Sequence, residues 1–302
     1  MSARKFAAPL LLCAVALAGC STPAVTAESA ATPSPTATLP TPEHIVVIVE
    51  ENKPIDRVLA ADDAPYLNSL ASTYAVASNY AAITNPSLPN YIALTSGTTA
   101  GISSDCLPAE CGSLDVPNIA SRVEGSGRNW RMYGEGMPEP CARTNSGDYA
   151  VKHIPFVYYS DVVADAAQCD RHVVPYPQLA ADLAQGTLPD LVFITPDLCN
   201  DMHDCTVATG DRWLAREVPK ILDSPAFAGN SLLVVTFDEG TTSHNQVATV
   251  FAGPAARRGA SSAAAYSHYA LLHTIEALWN LEPMTENDRN APVMRDLLRV
   301  PD

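Results

Sequence analysis

The chain has few positive charges and, after its first twenty residues, no long apolar run. Its 302 residues include 18 lysines and arginines against 33 aspartates and glutamates, so the formal net charge is −15. Nucleic acid is therefore not expected as a partner, because its phosphate backbone repels an acidic chain. None of the later apolar stretches has the length that a membrane-spanning helix requires.

The N-terminus is predicted to direct export. Residues 1–19 place Arg4 and Lys5 before an apolar stretch, which is typical of a signal peptide. The following Cys20 ends the sequence Leu-Ala-Gly-Cys, which resembles the lipobox of bacterial lipoproteins. We therefore expect an exported protein, anchored at the membrane surface through a lipid on Cys20. Cleavage of an ordinary signal peptide, with secretion, is the alternative.

A linker and one large domain are predicted to follow. Residues 20–42 consist mainly of Ser, Thr, Pro and Ala and carry a single charge, on Glu28. Such a segment cannot bury a core, so we expect a flexible tether. Residues 43–302 have the length and composition of one α/β domain.

Six cysteines follow Cys20, and an even number in an exported chain predicts disulfide bonds. Six cysteines allow fifteen pairings. Local spacing favours Cys106–Cys111 and Cys199–Cys205, which leaves Cys141–Cys169. A zinc site is the rival interpretation, but the exported context and the absence of a repeated C-x-x-C disfavour it.

Two apolar runs far apart in the chain each end in acidic residues. Residues 44–49 lead into Glu50, Glu51 and Asn52, and residues 231–237 lead into Asp238 and Glu239. Apolar side chains at successive positions predict strands covered on both faces, as in a parallel sheet between helices. Ligands of such sheets bind beyond the carboxyl ends of the strands. Carboxylates that converge there repel one another unless a cation or a proton lies between them.

Other elements can be placed in the same way. A third strand is predicted at 191–195, and it leads into a polar cluster that contains Asp201 and His203. Further predictions are a strand at 246–251 and helices at 64–75, 211–222 and 267–281, the last with His268 in its first turn. Residues 101–176 are rich in Cys, Gly and Pro, and we expect them to form loops on the substrate side.

Ser87 stands just before a predicted helix that has Pro89 in its first turn. Its hydroxyl could merely cap that helix. Alternatively, it could lie where the amides at a helix end attract a phosphate. A hydroxyl beside a divalent cation loses its proton more readily and becomes a nucleophile. Carboxylates with a carboxamide suit such a cation, whereas imidazoles suit zinc or iron, or a proton-transfer role.

Six motifs, in order along the chain, resemble the phosphoesterase family of the alkaline phosphatase superfamily. They are V-x-x-x-E-N, P-S-x-P-N-Y-x-A-L-x-S-G, K-H-x-P-F, N-D-M-H-D, T-x-D-E and S-H-Y-x-L-L-x-T-x-E, and they run from about residue 44 to residue 296. That family includes bacterial acid phosphatases and phospholipases C. The resemblance implies a three-layer α/β/α sandwich with a mostly parallel central sheet, and makes residues 43–302 a phosphoesterase domain.

The resemblance also implies roles for individual residues. Ser87 matches the nucleophile, which would form a phosphoseryl intermediate, and His203 matches a histidine important for activity. A divalent metal ion would be held by Glu51, Asn52, Asp238 and Glu239, while Asp201 and His268 are candidates for holding a second ion. Asn90 is expected to contact phosphate, and Lys152 and His153 are expected to line the substrate side. Asn85 departs from the family pattern, which commonly has His two residues before the nucleophile.

These observations favour a metal-dependent phosphomonoesterase of the acid phosphatase type. Its expected substrates are phosphomonoesters, including phosphoinositides or other lipid phosphates. A phospholipase C-type phosphodiesterase would use the same nucleophile, but the short chain lacks the accessory region expected of many such enzymes. A non-catalytic lipoprotein that binds ions or phosphate is the third hypothesis. The residues favour it least, because the proposed nucleophile and ligands are all present.

Overall fold

The computed structural model describes residues 38–300, and a mixed sheet of eight strands forms its centre. The predicted signal peptide, Cys20 and most of the linker lie outside the described residues. The strands are β1 (Ile45–Glu50), β2 (Ala75–Ala77), β3 (Tyr80–Ala81), β4 (Trp130–Gly134), β5 (Val173–Pro175), β6 (Leu191–Thr195), β7 (Leu232–Phe237), β8 (Thr249–Ala252), β9 (Ala260–Ser262) and β10 (Tyr266–Ser267). The large sheet has the order β5-β4-β6-β1-β7-β8-β2-β9, and β3 pairs separately with β10.

Ten α-helices lie in the described range, and several short 3₁₀ turns accompany them. The helices are α1 (Pro65–Thr73), α2 (Ser87–Ser96), α3 (Pro108–Cys111), α4 (Ile119–Gly125), α5 (Ser160–Val163), α6 (Ala166–His172), α7 (Gln178–Gln185), α8 (Val207–Leu222), α9 (His268–Leu278) and α10 (Glu286–Asn290). Gly97 ends α2 with a φ of +73°, in the left-handed region that glycine adopts without strain.

The centre of the sheet is parallel and fully covered. Strand β1 lies between β6 and β7, with Val47 opposite Phe193 and Ile48 opposite Val235. Every residue of these three strands is buried, so both faces of the sheet must be covered. The helix pairs α1 with α8 and α2 with α9 provide much of that cover. The α/β fold with a mostly parallel central sheet, expected from the sequence, is confirmed.

Most predicted elements fall close to their observed positions. The strand at 191–195 is β6, and those at 44–49 and 231–237 differ from β1 and β7 by one residue at one or both ends. Helix α8 begins four residues before the predicted start at 211, and strand β8 begins three residues after 246. These shifts lie at element ends, where hydrophobic periodicity gives the least information.

The prediction for residues 101–176 was wrong in part. This segment contributes β4 and β5, and both extend the central sheet as parallel strands beyond β6. Strand β4 escapes detection because it is short, and Arg131 interrupts its apolar residues. The same segment does supply loop residues to the candidate site, including Asp105 and Lys152.

The three disulfide bonds favoured by the sequence are present. Cys106 is bonded to Cys111, Cys141 to Cys169, and Cys199 to Cys205. Two of the bonds close short loops beside the carboxyl edge of the sheet, the first near Asp105 and the third around Asp201. Within residues 38–300, no helix combines the length and the hydropathy needed to cross a bilayer.

Candidate active site

Parallel register brings the acidic strand ends together. Glu50 lies opposite Phe237, and the N–H of Asp238 donates to the carbonyl of Glu50 at 3.0 Å. On the other side of β1, the N–H of Glu51 donates to the carbonyl of Asp201 at 2.8 Å. Side chains from three strand ends therefore meet at one edge of the sheet.

Four residues at the ends of β1 and β7 form what we call the strand-end group: Glu51, Asn52, Asp238 and Glu239. The side-chain amide of Asn52 lies 3.1 Å from both Asp238 Oδ1 and Glu51 Oε2, and with its NH₂ on that side it donates to both carboxylates. With its oxygen on that side, it would complete a set of three oxygens for a cation. Oxygens about 3 Å apart are also what two adjacent ligands show around a six-coordinate cation with bonds of about 2.1 Å. The group therefore fits a hard divalent cation.

Ser87 joins this group from helix α2. It is the first helical residue, and its Oγ donates to Glu51 Oε2 at 3.1 Å. Tyr91, one turn later, donates to the other oxygen of Glu51. The Ser87 hydroxyl is thus directed at a carboxylate of the strand-end group. The two hydrogen bonds also fix the orientation of the Glu51 side chain.

The side chains of Asn90 and Asn85 hold the turn before Ser87. The side-chain oxygen of Asn90 accepts from the backbone N–H groups of Ile83 and Thr84. Its side-chain NH₂ lies within hydrogen-bond distance of the backbone carbonyls of Thr84 and Pro86 and of Glu239 Oε2. Asn85 donates to the carbonyl of Gly240 and to Glu239. Asn90 was expected to contact phosphate, but in this conformation its amide is already occupied.

Five residues from three other segments form what we call the loop group: Asp105, Lys152, His153, Asp201 and His203. Buried His153 has Nε2 3.1 Å from Glu51 Oε1 and Nδ1 3.3 Å from Asp201 Oδ2, and it stacks on Tyr91. A neutral imidazole carries only one N–H and can donate to only one carboxylate. His153 Nε2 and Asp201 Oδ2 are both buried without a hydrogen-bond partner, so the contacts between this ring and the two carboxyl groups leave polar atoms unsatisfied.

These orphaned atoms are a second place where a cation fits. One ligand atom from each of Glu51, His153 and Asp201 lies within 4.8 Å of the other two. His153 was expected to line the substrate side, and the structure instead places it among the carboxylates. The mixed nitrogen and oxygen donors suit a transition metal or zinc better than magnesium or calcium.

Lys152 and His203 face the more open side of the site. Lys152 Nζ lies 3.0 Å from Asp105 Oδ2 and 3.5 Å from His203 Nε2. His203 Nδ1 pairs with Asp204 Oδ1 at 2.6 Å. All four of these residues line a cavity of about 230 Å³. Lys152 and His203 therefore lie where they could contact a substrate, as the sequence suggested.

His268 lies against the strand-end group but is not directed into it. Its Nε2 lies 2.6 Å from the backbone carbonyl of Asp238, and its Nδ1 lies 3.0 Å from the hydroxyl of Tyr80. A carbonyl can only accept, so Nε2 carries the proton and Nδ1 accepts from Tyr80. Burial lowers the pKa of His268 to about 4, which keeps the ring neutral. Both nitrogens are engaged, so His268 positions Asp238 rather than offering a free ligand.

Burial shifts the titration of the whole site. It raises the pKa of Asp238 to about 7, and that of Glu239 to about 8 with a contribution from the charge on Asp238. The pKa of Asp201 rises to about 7 and that of Glu51 lies well above its usual range, again through burial first. Desolvated carboxylates of like charge hold protons unless a cation takes their place. The site is therefore one that binds either protons or a cation.

Two residues of the site were not predicted from the sequence. Tyr91 occurs in the P-N-Y motif, but nothing in the sequence indicated that its hydroxyl would contact Glu51. Asp105 precedes Cys106 in a segment without periodicity, and only the folded chain brings it to helix α2, where it accepts from the N–H of Leu88 at 2.9 Å. No local pattern in the sequence could have identified either contact.

Comparisons with known proteins identify the family of the chain. The model of the Phosphoesterase family matches residues 58–282. The chain is 36% identical over 261 residues to the phosphatidylinositol-3-phosphatase of Mycobacterium tuberculosis, covering 86% of this chain and 84% of the relative. It is 30% identical over 241 residues to an acid phosphatase of Aspergillus fumigatus, where it covers 74% of this chain but only 53% of the fungal protein.

The fold has counterparts among solved structures. A protein of the alkaline phosphatase superfamily from Vibrio parahaemolyticus superposes with a TM-score of 0.61 at 12% identity. The match covers 85% of this chain and 72% of the other. At that identity the likeness shows a common fold.

Proposed function

The chain belongs to the Phosphoesterase family and is a hydrolase of phosphoric esters, and we propose that it cleaves monoesters through Ser87 with a bound divalent cation. One observation carries the proposal. The hydroxyl of Ser87, at the start of helix α2, donates to Glu51, one of three buried carboxyl groups that meet at the ends of β1 and β7. A hydroxyl in that setting can be made nucleophilic and can hold a phosphoryl group at a helix N-terminus.

The proposed reaction has two halves. In the first, Ser87 Oγ bonds to phosphorus, the bond from phosphorus to the ester oxygen breaks, and the alcohol leaves. Glu51 Oε2 accepts the hydrogen bond of Ser87, so it is the group in position to take the serine proton. In the second half, the oxygen of a water molecule bonds to phosphorus as the bond from phosphorus to Ser87 Oγ breaks. Glu51 returns the serine proton to Oγ, the water gives one proton to His203, and inorganic phosphate is released.

His203 is the proposed proton donor to the departing alcohol. Its Nδ1 pairs with Asp204, which orients the ring, and its Nε2 faces the cavity beside Lys152. Lys152 supplies a positive charge on the same side, where oxygens of a phosphoryl group would lie.

The strand-end group is the proposed metal site. When bound, a divalent cation supplies positive charge that neutralises the carboxylates and stabilises negative charge on the reacting oxygens. A second ion, where one is held, is assigned to Glu51, His153 and Asp201. This assignment replaces His268 with His153, since both ring nitrogens of His268 are engaged elsewhere.

We further propose that the physiological substrate is a lipid phosphate monoester of the phosphoinositide class. The relative from Mycobacterium tuberculosis is named a phosphatidylinositol-3-phosphatase, and the similarity covers 84% of its length. Export and anchoring through Cys20, expected from the N-terminal sequence, would place the enzyme at a membrane surface.

Hydrolysis of an aryl phosphate monoester by purified protein, with and without a chelator, tests the function. We expect turnover that the chelator abolishes and added divalent cation restores, and a loss of at least about 10³-fold in Ser87→Ala. Ser69→Ala, on the exposed face of α1, is the matched control and should be fully active. Wild-type protein that turns over no ester would favour a non-catalytic binder.

The substrate class is tested with vesicles. Release of inorganic phosphate from vesicles containing phosphatidylinositol 3-phosphate should exceed release from soluble monoesters at equal concentration. Diacylglycerol released from phosphatidylcholine faster than phosphate from any monoester would instead identify a phospholipase C-type diesterase.

A further inference from the structure

One carboxylate occupies two anion donors beside the proposed nucleophile. Asp105 Oδ1 accepts from the N–H of Leu88 at 2.9 Å, and Asp105 Oδ2 lies 3.0 Å from Lys152 Nζ. Leu88 directly follows Ser87 at the start of helix α2, so its N–H is one of the donors that a helix end offers to an anion. Asp105 therefore takes both the helix amide and the lysine.

A simple structural role for Asp105 would be that of a helix cap. The residue preceding α2 is Pro86, and it makes no side-chain capping bond, so α2 takes its cap from a distant loop. A cap, however, needs only a neutral acceptor for one N–H. The additional ion pair with Lys152 places a full negative charge next to a hydroxyl that is to receive a phosphoryl group. That charge opposes an incoming phosphate and needs its own explanation.

We propose that Asp105 is a built-in competitor of phosphate at this site, a carboxylate that holds the anion donors until a phosphoryl group displaces it. The inference rests on the proposed function, because it takes Ser87 as the phosphoryl acceptor. Its consequence is weaker binding of every phosphate group in the site, the product included. Release of inorganic phosphate is thereby favoured.

The surroundings allow the side chain to move while the loop stays in place. The next residue, Cys106, is held by its disulfide bond to Cys111 and by its carbonyl, which accepts from the hydroxyl of Tyr158 at 2.9 Å. The Asp105 side chain itself is 28% exposed. It borders the cavity of about 230 Å³ that also contains Lys152 and His203. Rotation of the side chain can therefore free the Leu88 amide and Lys152 without opening the loop.

The test is equilibrium binding of inorganic phosphate to the full chain with its metal, measured by isothermal titration calorimetry. Asp105→Asn removes the charge but keeps an oxygen that can accept from the Leu88 amide. Asp105→Ser also removes the charge and keeps an acceptor, on a smaller side chain. We expect both variants to bind phosphate about tenfold more tightly, as removal of one nearby like charge predicts. Product inhibition and KM on an aryl phosphate should fall in parallel. Asp115→Asn, the same change on an exposed residue, should leave the affinity unaltered.

Two outcomes overturn the proposal. Unchanged phosphate affinity in folded Asp105→Asn and Asp105→Ser would show that the charge does not compete. Weaker affinity with a raised KM would show that Asp105 serves to position Lys152. Because the titration needs no turnover, failure of the competitor and failure of the proposed function give different results. A wild-type protein inert toward all esters would refute the function, whereas unchanged phosphate binding by the variants of an active enzyme would refute only the competitor.

Discussion

The strand-end group and the loop group meet at Glu51 but balance their charges in opposite ways. In the strand-end group, three carboxyl groups are buried together, and no described lysine, arginine or histidine side chain forms an ion pair with Asp238 or Glu239. In the loop group, Lys152 pairs with Asp105 and His153 lies between Glu51 and Asp201. The first group needs a cation from outside, whereas Lys152 supplies a positive charge within the second. The strand-end side of the site therefore suits a metal, and the side with Lys152 suits the substrate anion.

Removal of one strand-end carboxylate should have the largest effect. Asp238→Asn loses a charge that a cation would balance, so we expect activity to fall by about 10³-fold or more and metal content to fall with it. Steady-state kinetics and elemental analysis of the same preparation measure both. Asp63→Asn, on the exposed surface, controls for the charge change. Full metal content with full activity in Asp238→Asn would show that the strand-end group does not need a cation, which would contradict the contrast drawn with the loop group.

A change in the loop group should separate catalysis from metal binding. We expect His203→Asn to lower kcat by about 10²-fold, the usual contribution of a positioned proton donor, while metal content stays at the wild-type level. The exposed His244→Asn serves as the control. Loss of metal in His203→Asn would show that this histidine helps to bind the metal, which would contradict its assigned role as proton donor.

The stability of the metal-free protein should fall as pH rises from about 5 to 8. In the folded state the pKa of Asp238 and of Asp201 is about 7 and that of Glu239 is about 8, whereas carboxyl groups of the unfolded chain have a pKa of about 4. Between about pH 4 and 8 the folded state therefore binds more protons than the unfolded state, so the free energy of unfolding falls as pH rises. Melting temperatures in a chelator should show this decline, and added cation should reduce it. A melting temperature that rises across this range would contradict the prediction.

The smallest effect is expected at Glu50, the residue before Glu51. Glu50 is fully buried, its pKa is raised by burial first, and neither carboxyl oxygen has a hydrogen-bond partner. It is therefore neutral in the folded protein, and Glu50→Gln should keep activity within about twofold and cost at most about 1 kcal/mol of stability. Glu51→Gln should abolish activity. Thermal melting and kinetics of the two variants make the comparison, and equal losses would contradict it.

Much of the strand-end group could be predicted from the sequence. Its residues directly follow two apolar runs, and parallel strands place such residues at one edge of a sheet. Glu50, which the resemblance left out of the metal site, is fully buried, so the structure limits its replacement to neutral residues of similar size. Replacement by Ala would leave a buried cavity at a cost of about 2–5 kcal/mol.

The loop group was harder to predict. Lys152 and His153 are neighbours in a 3₁₀ turn, so only the fold decides that one faces the cavity and the other faces Glu51. The two buried histidines show the same limit. His268 contacts a backbone carbonyl and His153 contacts carboxylates, and no spacing in the sequence separates these environments. Asp105 reaches α2 from a loop whose course depends on tertiary contacts.

Detection of phosphoserine during turnover tests the central claim most directly. The enzyme would be mixed with a radiolabelled phosphomonoester, quenched in acid within the first turnover and digested for mass spectrometry. The account predicts one labelled peptide, with the phosphoryl group on Ser87, and no label in Ser87→Ala. An active enzyme that never carries label on Ser87 at any quench time, or a Ser87→Ala variant with wild-type turnover, would contradict it.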